Sequence, residues 1–160
     1  MIRTVNENDA DRIAEINNDY ILHTTISFDT ATITAEDMRK RIRSIAATHP
    51  YFVLELDGQV EGYCYAHPWK ERAAYSKTWE TTIYLSEAAQ GKGYGTELMN
   101  RLIDESRRLG AHVLIACITA ENTGSERFHI GLGFKQVSHF QQVGMKFGRW
   151  LDVDDFQLTL

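Results

Sequence analysis

The sequence predicts a three-layer α/β domain, in which a mixed β-sheet is covered by helices on both faces. Three observations support this prediction. Two β-rich runs are joined by Asp57-Gly58, a dipeptide typical of a two-residue hairpin turn. A further β-rich run leads through a glycine-rich loop into a helical pattern, as in a crossover unit. The length of 160 residues suits one domain, so we expect residues 1–160 to form a single one.

The order of elements follows from hydrophobic periodicity and from capping and turn residues. Thr34-x-x-Asp37 resembles a capping box at the start of a helix, and Gly110 stands where another helix should end. The Thr-rich loop between the first two helices is expected to pack Phe28 inward. In chain order, the sequence predicts a strand (2–5), a helix (7–22), a loop (23–33), a helix (34–48), two hairpin strands (51–56 and 59–67), a loop (68–76), a strand (79–85), a helix (94–109), a strand (112–118), a helix (122–132) and two strands (134–137 and 154–160), the last preceded by an irregular excursion (141–150).

Composition narrows the classes of partner. The net charge is −5 and no Lys/Arg-rich run is present, so we expect no nucleic-acid partner. The sequence has neither an apolar run of membrane-spanning length nor a signal-peptide pattern, so we expect a soluble, cytoplasmic protein without a membrane partner. Cys64 and Cys117 lie in β-like apolar runs without a C-x-x-C or His-rich context. We expect both to be reduced core residues, and we expect no metal site.

The glycine-rich loop is the strongest functional signal. Gly91, Gly93 and Gly95 lack a Cβ and stand directly before a helix N-terminus, where unpaired N–H groups and the helix dipole favour an anion. We interpret this stretch as a phosphate-binding loop; a tight glycine turn without a ligand is the alternative. The spacing Gln90-x-x-Gly93-x-Gly95 fits neither a Rossmann nor a Walker loop, which argues against a nucleotide-binding protein.

Glu80 lies in the strand that leads to this loop, at the side of the sheet where such folds bind ligands. With Trp79 and Tyr84 expected to desolvate it partly, its carboxylate suits a general base that takes a proton from an ammonium group, directly or through a water. A surface glutamate on an exposed strand face is the alternative.

Four stretches of sequence resemble one family. The Q-x-x-G-x-G run at residues 90–95, between a strand and a helix, resembles the pyrophosphate-binding motif of the GNAT superfamily of N-acetyltransferases. The P-W-K-x-R-x-A-Y run at 68–75 and the E-x-T-x-Y-x-S run at 80–86 are similar to phosphinothricin N-acetyltransferases. Residues 142–152 resemble relatives that acetylate methionine sulfoximine and methionine sulfone.

The resemblance implies a GNAT-like, mostly antiparallel sheet and direct transfer of acetyl from acetyl-CoA to the amine of a small amino acid or analogue of these types. It matches Glu80 to the family's proposed general base. His129 stands where many members have a tyrosine proposed to protonate the leaving thiolate; a structural histidine is the alternative. The cofactor-binding residues it implies are Thr82, Ile83, Tyr84, Gln90, Gly91, Lys92, Gly93, Tyr94, Gly95 and Asn122. The substrate-binding residues are Phe28, Lys70, Arg72 and Tyr75, with the two cations expected to hold a carboxylate or phosphinate unless they are merely solvated.

The resemblance also implies a homodimer and a role in resistance to antibiotic or herbicidal amino-acid analogues. A covalent cysteine route is not expected, because neither cysteine lies in a matched motif. Two other functions remain open from the sequence. The chain could acetylate another amine, such as a peptide N-terminus or an aminoglycoside, or it could bind CoA without catalysis.

Overall fold

The fold is built on one β-sheet that takes in strands from the whole length of the chain. The computed structural model describes residues 1–160 and contains seven strands and four α-helices. None of the helices combines the length and the apolar character needed to cross a membrane. The strands are β1 (Ile2–Thr4), β2 (Tyr51–Leu56), β3 (Gln59–Pro68), β4 (Thr78–Leu85), β5 (Val113–Thr119), β6 (Lys135–Lys146) and β7 (Arg149–Thr159), and the helices are α1 (Ala10–His23), α2 (Ala35–Ala46), α3 (Tyr94–Arg108) and α4 (Thr123–Gly131).

The strand order across the sheet is β1-β2-β3-β4-β5-β7-β6. Only β4 and β5 run parallel, and every other neighbouring pair is antiparallel. The predicted mixed, mostly antiparallel sheet is therefore confirmed. The parallel pair follows from the path of the chain, because β4 is connected to β5 by a crossover through α3 rather than by a tight turn.

Helices cover both faces of the sheet, as predicted. On one face, α1 and α2 bury Ile13 and Ile42 in a cluster that also contains Val53 of β2. On the other face, α3 buries Leu98 in a cluster that contains the adjacent β2 residue, Phe52. Because successive strand residues point to opposite sides of a sheet, these two clusters lie on opposite faces and give three layers.

Local sequence signals place several element ends correctly. Asp57 and Gly58 have φ values of 50° and 80°, the pair of left-handed residues that a two-residue hairpin turn requires. Thr34 caps α2 by accepting a hydrogen bond from the backbone N–H of Asp37 at 3.1 Å. Gly110 follows α3 with a φ of 92°, a conformation that glycine adopts without a Cβ clash.

The predicted excursion at 141–150 is wrong. In its place β6 and β7 form a long hairpin that turns at Phe147 and Gly148, whose φ values are 52° and 70°. Most of β6 is exposed, so it lacks the alternation of buried and exposed residues that identifies a strand in a sequence. Irregular pairing between Phe140 and Gly144 interrupts the pattern further. A strand with water on both faces thus has the composition of a loop.

β4 and β5 separate beyond Glu80, and this separation opens a cleft in the sheet. Their pairing runs from Thr78 opposite Val113 to Glu80 opposite Ile115. Residues 81–85 of β4 stay paired with β3 along one edge, but no strand pairs with their other edge. The cleft lies at the C-terminal ends of two parallel strands, where open α/β sheets bind their ligands.

Candidate active site

A cavity of about 300 Å³ occupies the cleft between β4 and β5. Its walls come from β3, β4, β5, α2 and α4 and from the loop between α1 and α2. The cavity brings together residues that are far apart in the sequence. The predicted site residues that line it are Phe28, Glu80, Thr82, Ile83, Tyr84, Asn122 and His129.

Glu80 lines this cavity from β4 and pairs with His67 of β3. The two residues are opposite each other in the antiparallel ladder, and Glu80 Oε2 lies 3.1 Å from His67 Nε2. His67 Nδ1 lies 3.0 Å from the carbonyl oxygen of Pro68 and donates to it, since a carbonyl oxygen only accepts. When Nε2 also carries a proton and donates to the carboxylate, the ring is an imidazolium. The pKa of His67 is accordingly raised, mainly by its hydrogen bond with Glu80.

One expectation about the surroundings of Glu80 is wrong. Trp79 does not desolvate the carboxylate, because it lies on the other face of β4 within the core, where its Nε1 donates to Ser76 O at 3.0 Å. Tyr84 does line the same cavity as Glu80. The Glu80 side chain keeps 30% of its exposure, so water can reach it.

The glycine-rich loop between β4 and α3 presents backbone N–H groups to a second hollow. Gly91 and Gly93 have φ values of 71° and 85°, which L side chains rarely adopt. Gly93 is the N-cap of α3, and no side chain caps this helix. The N–H groups of residues 91–96 have no backbone acceptor within the chain. The start of α3 therefore keeps its unpaired donors and the positive end of its dipole, which together suit a phosphate group.

The second hollow has a volume of about 580 Å³ and lies between the glycine loop and the start of α4. Ile83, Tyr84, Asn122 and Ser125 line both spaces, so the two hollows adjoin, and together they are called the channel. The unpaired edge of β4 runs along this channel. A long, thin ligand with a phosphate at one end would thus reach Glu80 with its other end.

Some residues of the glycine loop line the channel and others do not. Gln90 Nε2 donates to the Tyr20 hydroxyl at 3.1 Å, which ties the loop to α1. Lys92 Nζ donates to the carbonyl oxygen of Ala88 at 2.8 Å instead. The predicted cofactor-binding residues of the loop that line the channel are Gln90, Gly91, Gly93 and Gly95, and those that do not are Lys92 and Tyr94.

Asn122 and His129 are positioned by α4. Asn122 caps the helix, and its Oδ1 accepts from Ser125 N at 3.2 Å. His129 is only 3% exposed, and its Nδ1 donates to Ser125 O at 2.8 Å. Burial lowers the pKa of His129, so the ring is neutral at pH 7 and Nε2 carries no proton. In this state Nε2 can accept a hydrogen bond but cannot donate one.

The two cysteines occupy different environments. Cys64 is buried, as predicted, whereas the prediction that Cys117 is a core residue is wrong. Cys117 is exposed because β5 has left β4 at this point, and it lines the cavity. Desolvation and, next, the carboxylate of Asp155 raise the pKa of the Cys117 thiol to about 12. The thiol stays protonated at neutral pH and is a poor nucleophile.

Phe28 does not pack inward as predicted. It is 41% exposed, and its ring covers Gly144 of β6, where a Cβ would lie 2.4 Å from the ring. Beside it, the buried Lys146 Nζ donates to Ser27 O at 2.6 Å. The β6–β7 hairpin therefore supports the loop from which Phe28 lines the cavity. Only a residue without a side chain at position 144 leaves room for the ring.

A family model for the acetyltransferase (GNAT) domain matches residues 2–153. The chain belongs to the GNAT acetyltransferase family. The resemblance seen in the motifs is thereby confirmed, and the protein is an enzyme of the transferase class.

Individual GNAT proteins are similar along almost the entire chain. The L-methionine sulfoximine/L-methionine sulfone acetyltransferase of Salmonella typhimurium is 38% identical over 161 residues, which cover 99% of this chain and 94% of that protein. An acetyltransferase of Salmonella typhimurium solved with its cofactor acetyl-CoA has a TM-score of 0.97 at 38% identity, covering 100% of this chain and 93% of the other. A phosphinothricin acetyltransferase of Sinorhizobium meliloti in complex with acetyl-CoA has a TM-score of 0.96 at 33% identity, covering 100% of this chain and 88% of that protein.

Three residues predicted to bind substrate do not line the cavity of this GNAT chain: Lys70, Arg72 and Tyr75. They belong to the loop between β3 and β4. There, Lys70 Nζ lies 4.3 Å from the centroid of the Trp69 ring, and the ring of Tyr75 meets Trp69 edge-on at 5.3 Å. Their role in substrate binding stays a prediction.

Four charged or titratable residues that the sequence did not single out do line the cavity: Asp29, Arg41, Tyr65 and His67. His67 was within reach of sequence reasoning, since it ends a predicted hairpin strand and the following strand begins with Trp79 and Glu80. The register that sets it opposite Glu80 is visible only in the folded sheet. Arg41 belongs to a helix rich in basic residues, and no motif distinguishes it from its neighbours.

Proposed function

We propose that this GNAT protein transfers the acetyl group of acetyl-CoA to the amine of a small amino acid or analogue of the methionine sulfone, methionine sulfoximine or phosphinothricin type. The observation that carries the proposal is the channel that joins the glycine loop to the cavity beside Glu80. The names of similar proteins support the substrate class, since relatives act on methionine sulfoximine, methionine sulfone and phosphinothricin.

The residues of the channel fit CoA. Acetyl-CoA supplies an activated acetyl thioester. The amides of residues 91–96 would hold its diphosphate, since they have no backbone acceptor and the positive φ of Gly91 and Gly93 turns the loop toward α3. The unpaired edge of β4 at Thr82, Ile83 and Tyr84 would hydrogen-bond the pantetheine arm. Asn122, which lines both parts of the channel, would contact the cofactor as well.

Glu80 acts as the general base in this proposal. Its partly exposed carboxylate takes a proton from the substrate ammonium, directly or through a water. The freed amine would then form a C–N bond with the acetyl carbon while the C–S bond of the thioester breaks and CoA leaves as a thiolate, which takes up the second proton that the nitrogen loses. A backbone N–H of the unpaired β4 edge near Ile83 would donate to the carbonyl oxygen on which negative charge develops. Both Cys117, whose thiol stays protonated, and a metal ion are dispensable for such a direct transfer.

His129 fits a proton acceptor or a structural role better than the predicted donor role. Its Nδ1 proton is engaged by Ser125 O, and burial lowers the pKa of the ring. Protonating a thiolate from Nε2 would need the doubly protonated ring. We therefore assign the base to Glu80 and leave His129 as a residue that orients neighbouring groups through Nε2.

We further propose that the protein works as a homodimer in the cytoplasm, and that acetylation of toxic amino-acid analogues contributes to resistance against them. The support for a homodimer is a group of large apolar residues that the β6–β7 hairpin exposes. These residues are Val137, Phe140, Val143, Met145, Phe147 and Trp150.

Release of free thiol from acetyl-CoA, followed with a panel of amines, tests the proposed function. We expect turnover with L-methionine sulfone, and we expect the Glu80→Gln variant to lose about 10²- to 10⁴-fold in rate. Calorimetry should show that the variant still binds acetyl-CoA, because Glu80 does not line the glycine-loop end of the channel.

Other outcomes would support the alternatives. Turnover confined to a peptide N-terminus or an aminoglycoside would replace the proposed substrate class. Binding of acetyl-CoA without turnover of any amine would favour a CoA-binding module. An unchanged rate in Glu80→Gln would remove Glu80 from the mechanism.

A further inference from the structure

We propose that Arg41 of α2 binds the carboxylate of the amino-acid substrate and so selects amines that carry an adjacent carboxylate. This inference rests on the function proposed above. It assigns to Arg41 a role that the sequence motifs had suggested for Lys70 and Arg72.

Arg41 is the only lysine or arginine that lines the cavity beside Glu80. Two carboxylates, Asp29 and Glu80, line the same cavity. Glu80 is already paired with His67 at 3.1 Å. Without Arg41, the cavity wall would carry an excess of negative charge and would repel a substrate carboxylate. Arg41 therefore supplies the charge that an anionic group needs in order to bind there.

The position of Arg41 on α2 explains why its guanidinium is available. Residues two apart on an α-helix are separated by about 200°, so Arg41 points away from the side that carries Arg39 and Arg43. Arg39 and Arg43 are both paired, with Glu36 at 3.0 Å and with Glu7 at 2.8 Å. Arg41 has no carboxylate partner among the ion pairs of the chain and is half-buried. In α2, therefore, Arg39 and Arg43 form ion pairs at the surface, whereas Arg41 faces the cavity.

The charge of Arg41 also affects the tyrosine and histidine side chains of β3. Its positive charge disfavours the protonated forms of Tyr65 and His67. The pKa of each side chain is therefore lower than it would be without Arg41. Both of these residues line the cavity together with Arg41. The guanidinium is therefore close enough to influence the side of the cavity where Glu80 lies.

The chemistry of an α-amino acid matches this arrangement. Its amine and its carboxylate are joined through one carbon, so both groups enter a cavity of about 300 Å³ together. The amine belongs beside Glu80, which takes its proton. The planar guanidinium of Arg41 can bind the carboxylate with two parallel hydrogen bonds, which a flexible lysine cannot do. Lys70 and Arg72 lie outside this cavity.

The test compares two substrates and two matched variants. The substrates are L-methionine sulfone and its carboxamide, which keeps the amine but removes the negative charge. The variants are Arg41→Gln and Arg43→Gln, which change the same residue type on opposite sides of α2. We expect Arg41→Gln to raise KM for the acid by about 10- to 100-fold and to leave KM for the carboxamide within about 2-fold, because a charge-assisted pair is lost. Arg43→Gln should change neither value.

Two results would overturn the inference. One is an Arg41→Gln variant whose KM values for the acid and the carboxamide equal those of the wild type, or are both raised by the same factor. The other is an Arg72→Gln variant in which KM is raised for the acid alone, while Arg41→Gln shows no such change. That result would assign the carboxylate to the loop between β3 and β4.

Calorimetry separates this inference from the proposed function. The acid and the carboxamide are titrated into the CoA-saturated wild type and the CoA-saturated Arg41→Gln variant. Suppose that no amine is acetylated, but that the wild type binds the acid more tightly than the carboxamide and Arg41→Gln does not. The proposed acetyl transfer is then wrong, and the proposed carboxylate site is supported. If amines are acetylated and Arg41→Gln leaves the preference for the acid intact, the carboxylate site is wrong and the activity stands.

Discussion

Proton positions on single residues decide what the cavity can do. His67 carries one proton on Nδ1, engaged by Pro68 O, and a second on Nε2 when the ring is charged. The second proton points at Glu80 Oε2, so this oxygen is engaged by His67 and is not free to accept a proton from the substrate. The groups around His67 act in opposite directions, since Glu80 and Pro68 raise its pKa and the charge of Arg41 lowers it.

The rate should therefore depend on the protonation of His67. Because the pKa of His67 is raised above its ordinary value, the imidazolium persists to a higher pH and is lost as the pH rises through the raised pKa. We expect kcat/KM of the wild type to increase over this range as Glu80 is released. His67→Gln can still donate to Glu80 but does not titrate, so this limb of the pH profile should disappear. Identical pH profiles for the two proteins would contradict the role of His67.

The same pair makes a small contribution to stability with a defined sign. A raised folded-state pKa means that the charged pair stabilises the fold below the pKa of a free histidine, and that this contribution fades as the pH rises through the folded-state value. Both side chains are about one-third exposed, so we expect less than about 1 kcal/mol. Thermal unfolding across pH, with His67→Gln as the comparison, should show the two curves converging at high pH.

At the scale of elements, the loop between β4 and α3 depends on backbone conformation more than on side chains. Gly93 has a φ of 85° at the N-cap of α3, and a Cβ there would meet no atom within 4 Å. The constraint is therefore torsional strain, not a clash. This distinguishes Gly93 from Gly144, where the Phe28 ring fills the space that a Cβ would take.

Gly93→Ala should consequently impair CoA binding by reshaping the loop. We expect a loss of roughly 1–2 kcal/mol in the free energy of unfolding, because alanine is strained at a left-handed φ, and at least about 10-fold weaker binding of CoA in calorimetry. Gly131→Ala is the matched control, since Gly131 lies in α4 with ordinary φ and open space around it. A Gly93→Ala variant that binds CoA like the wild type would show that the loop does not hold the diphosphate.

The β6–β7 hairpin links the elements of the site to the outer surface. Lys146 holds Ser27 from one side of the hairpin, whereas the other residues are mostly exposed. The hairpin therefore serves two purposes, supporting a wall of the cavity and presenting apolar side chains to the surroundings.

At the scale of the whole molecule, this exposed surface predicts self-association. Phe147 and Trp150 are 57% and 61% exposed near the turn of the hairpin. If they are buried between two copies, a Phe147→Ser, Trp150→Ser double variant should shift the protein from dimer toward monomer in sedimentation experiments. Ile130→Ser, at an equally exposed apolar residue on α4, should leave the mass unchanged. A wild type that sediments as a monomer at all concentrations would contradict the proposed homodimer.

The sequence alone was sufficient where a feature depends on neighbours along the chain. Hairpin turns, helix caps and the strand, glycine loop and helix around Gly93 are set by torsions and hydrogen bonds within a few residues, so residue type and spacing predict them. The sequence alone did not predict β6, because both faces of this strand are exposed to water and its residues show no periodicity. It failed also for Phe28, Trp79 and Cys117, whose surroundings come from distant segments.

What the sequence by itself determined is the family, the mixed α/β fold and the position of Glu80 and the glycine loop within one strand-to-helix unit. Only the tertiary structure decided that β4 and β5 separate, that His67 lies against Glu80 and that Arg41 rather than Lys70 or Arg72 faces the cavity. The physical reason is that strand register and helix packing depend on how apolar faces from all parts of the chain fit together, and the spacing of residues along the chain does not contain this information.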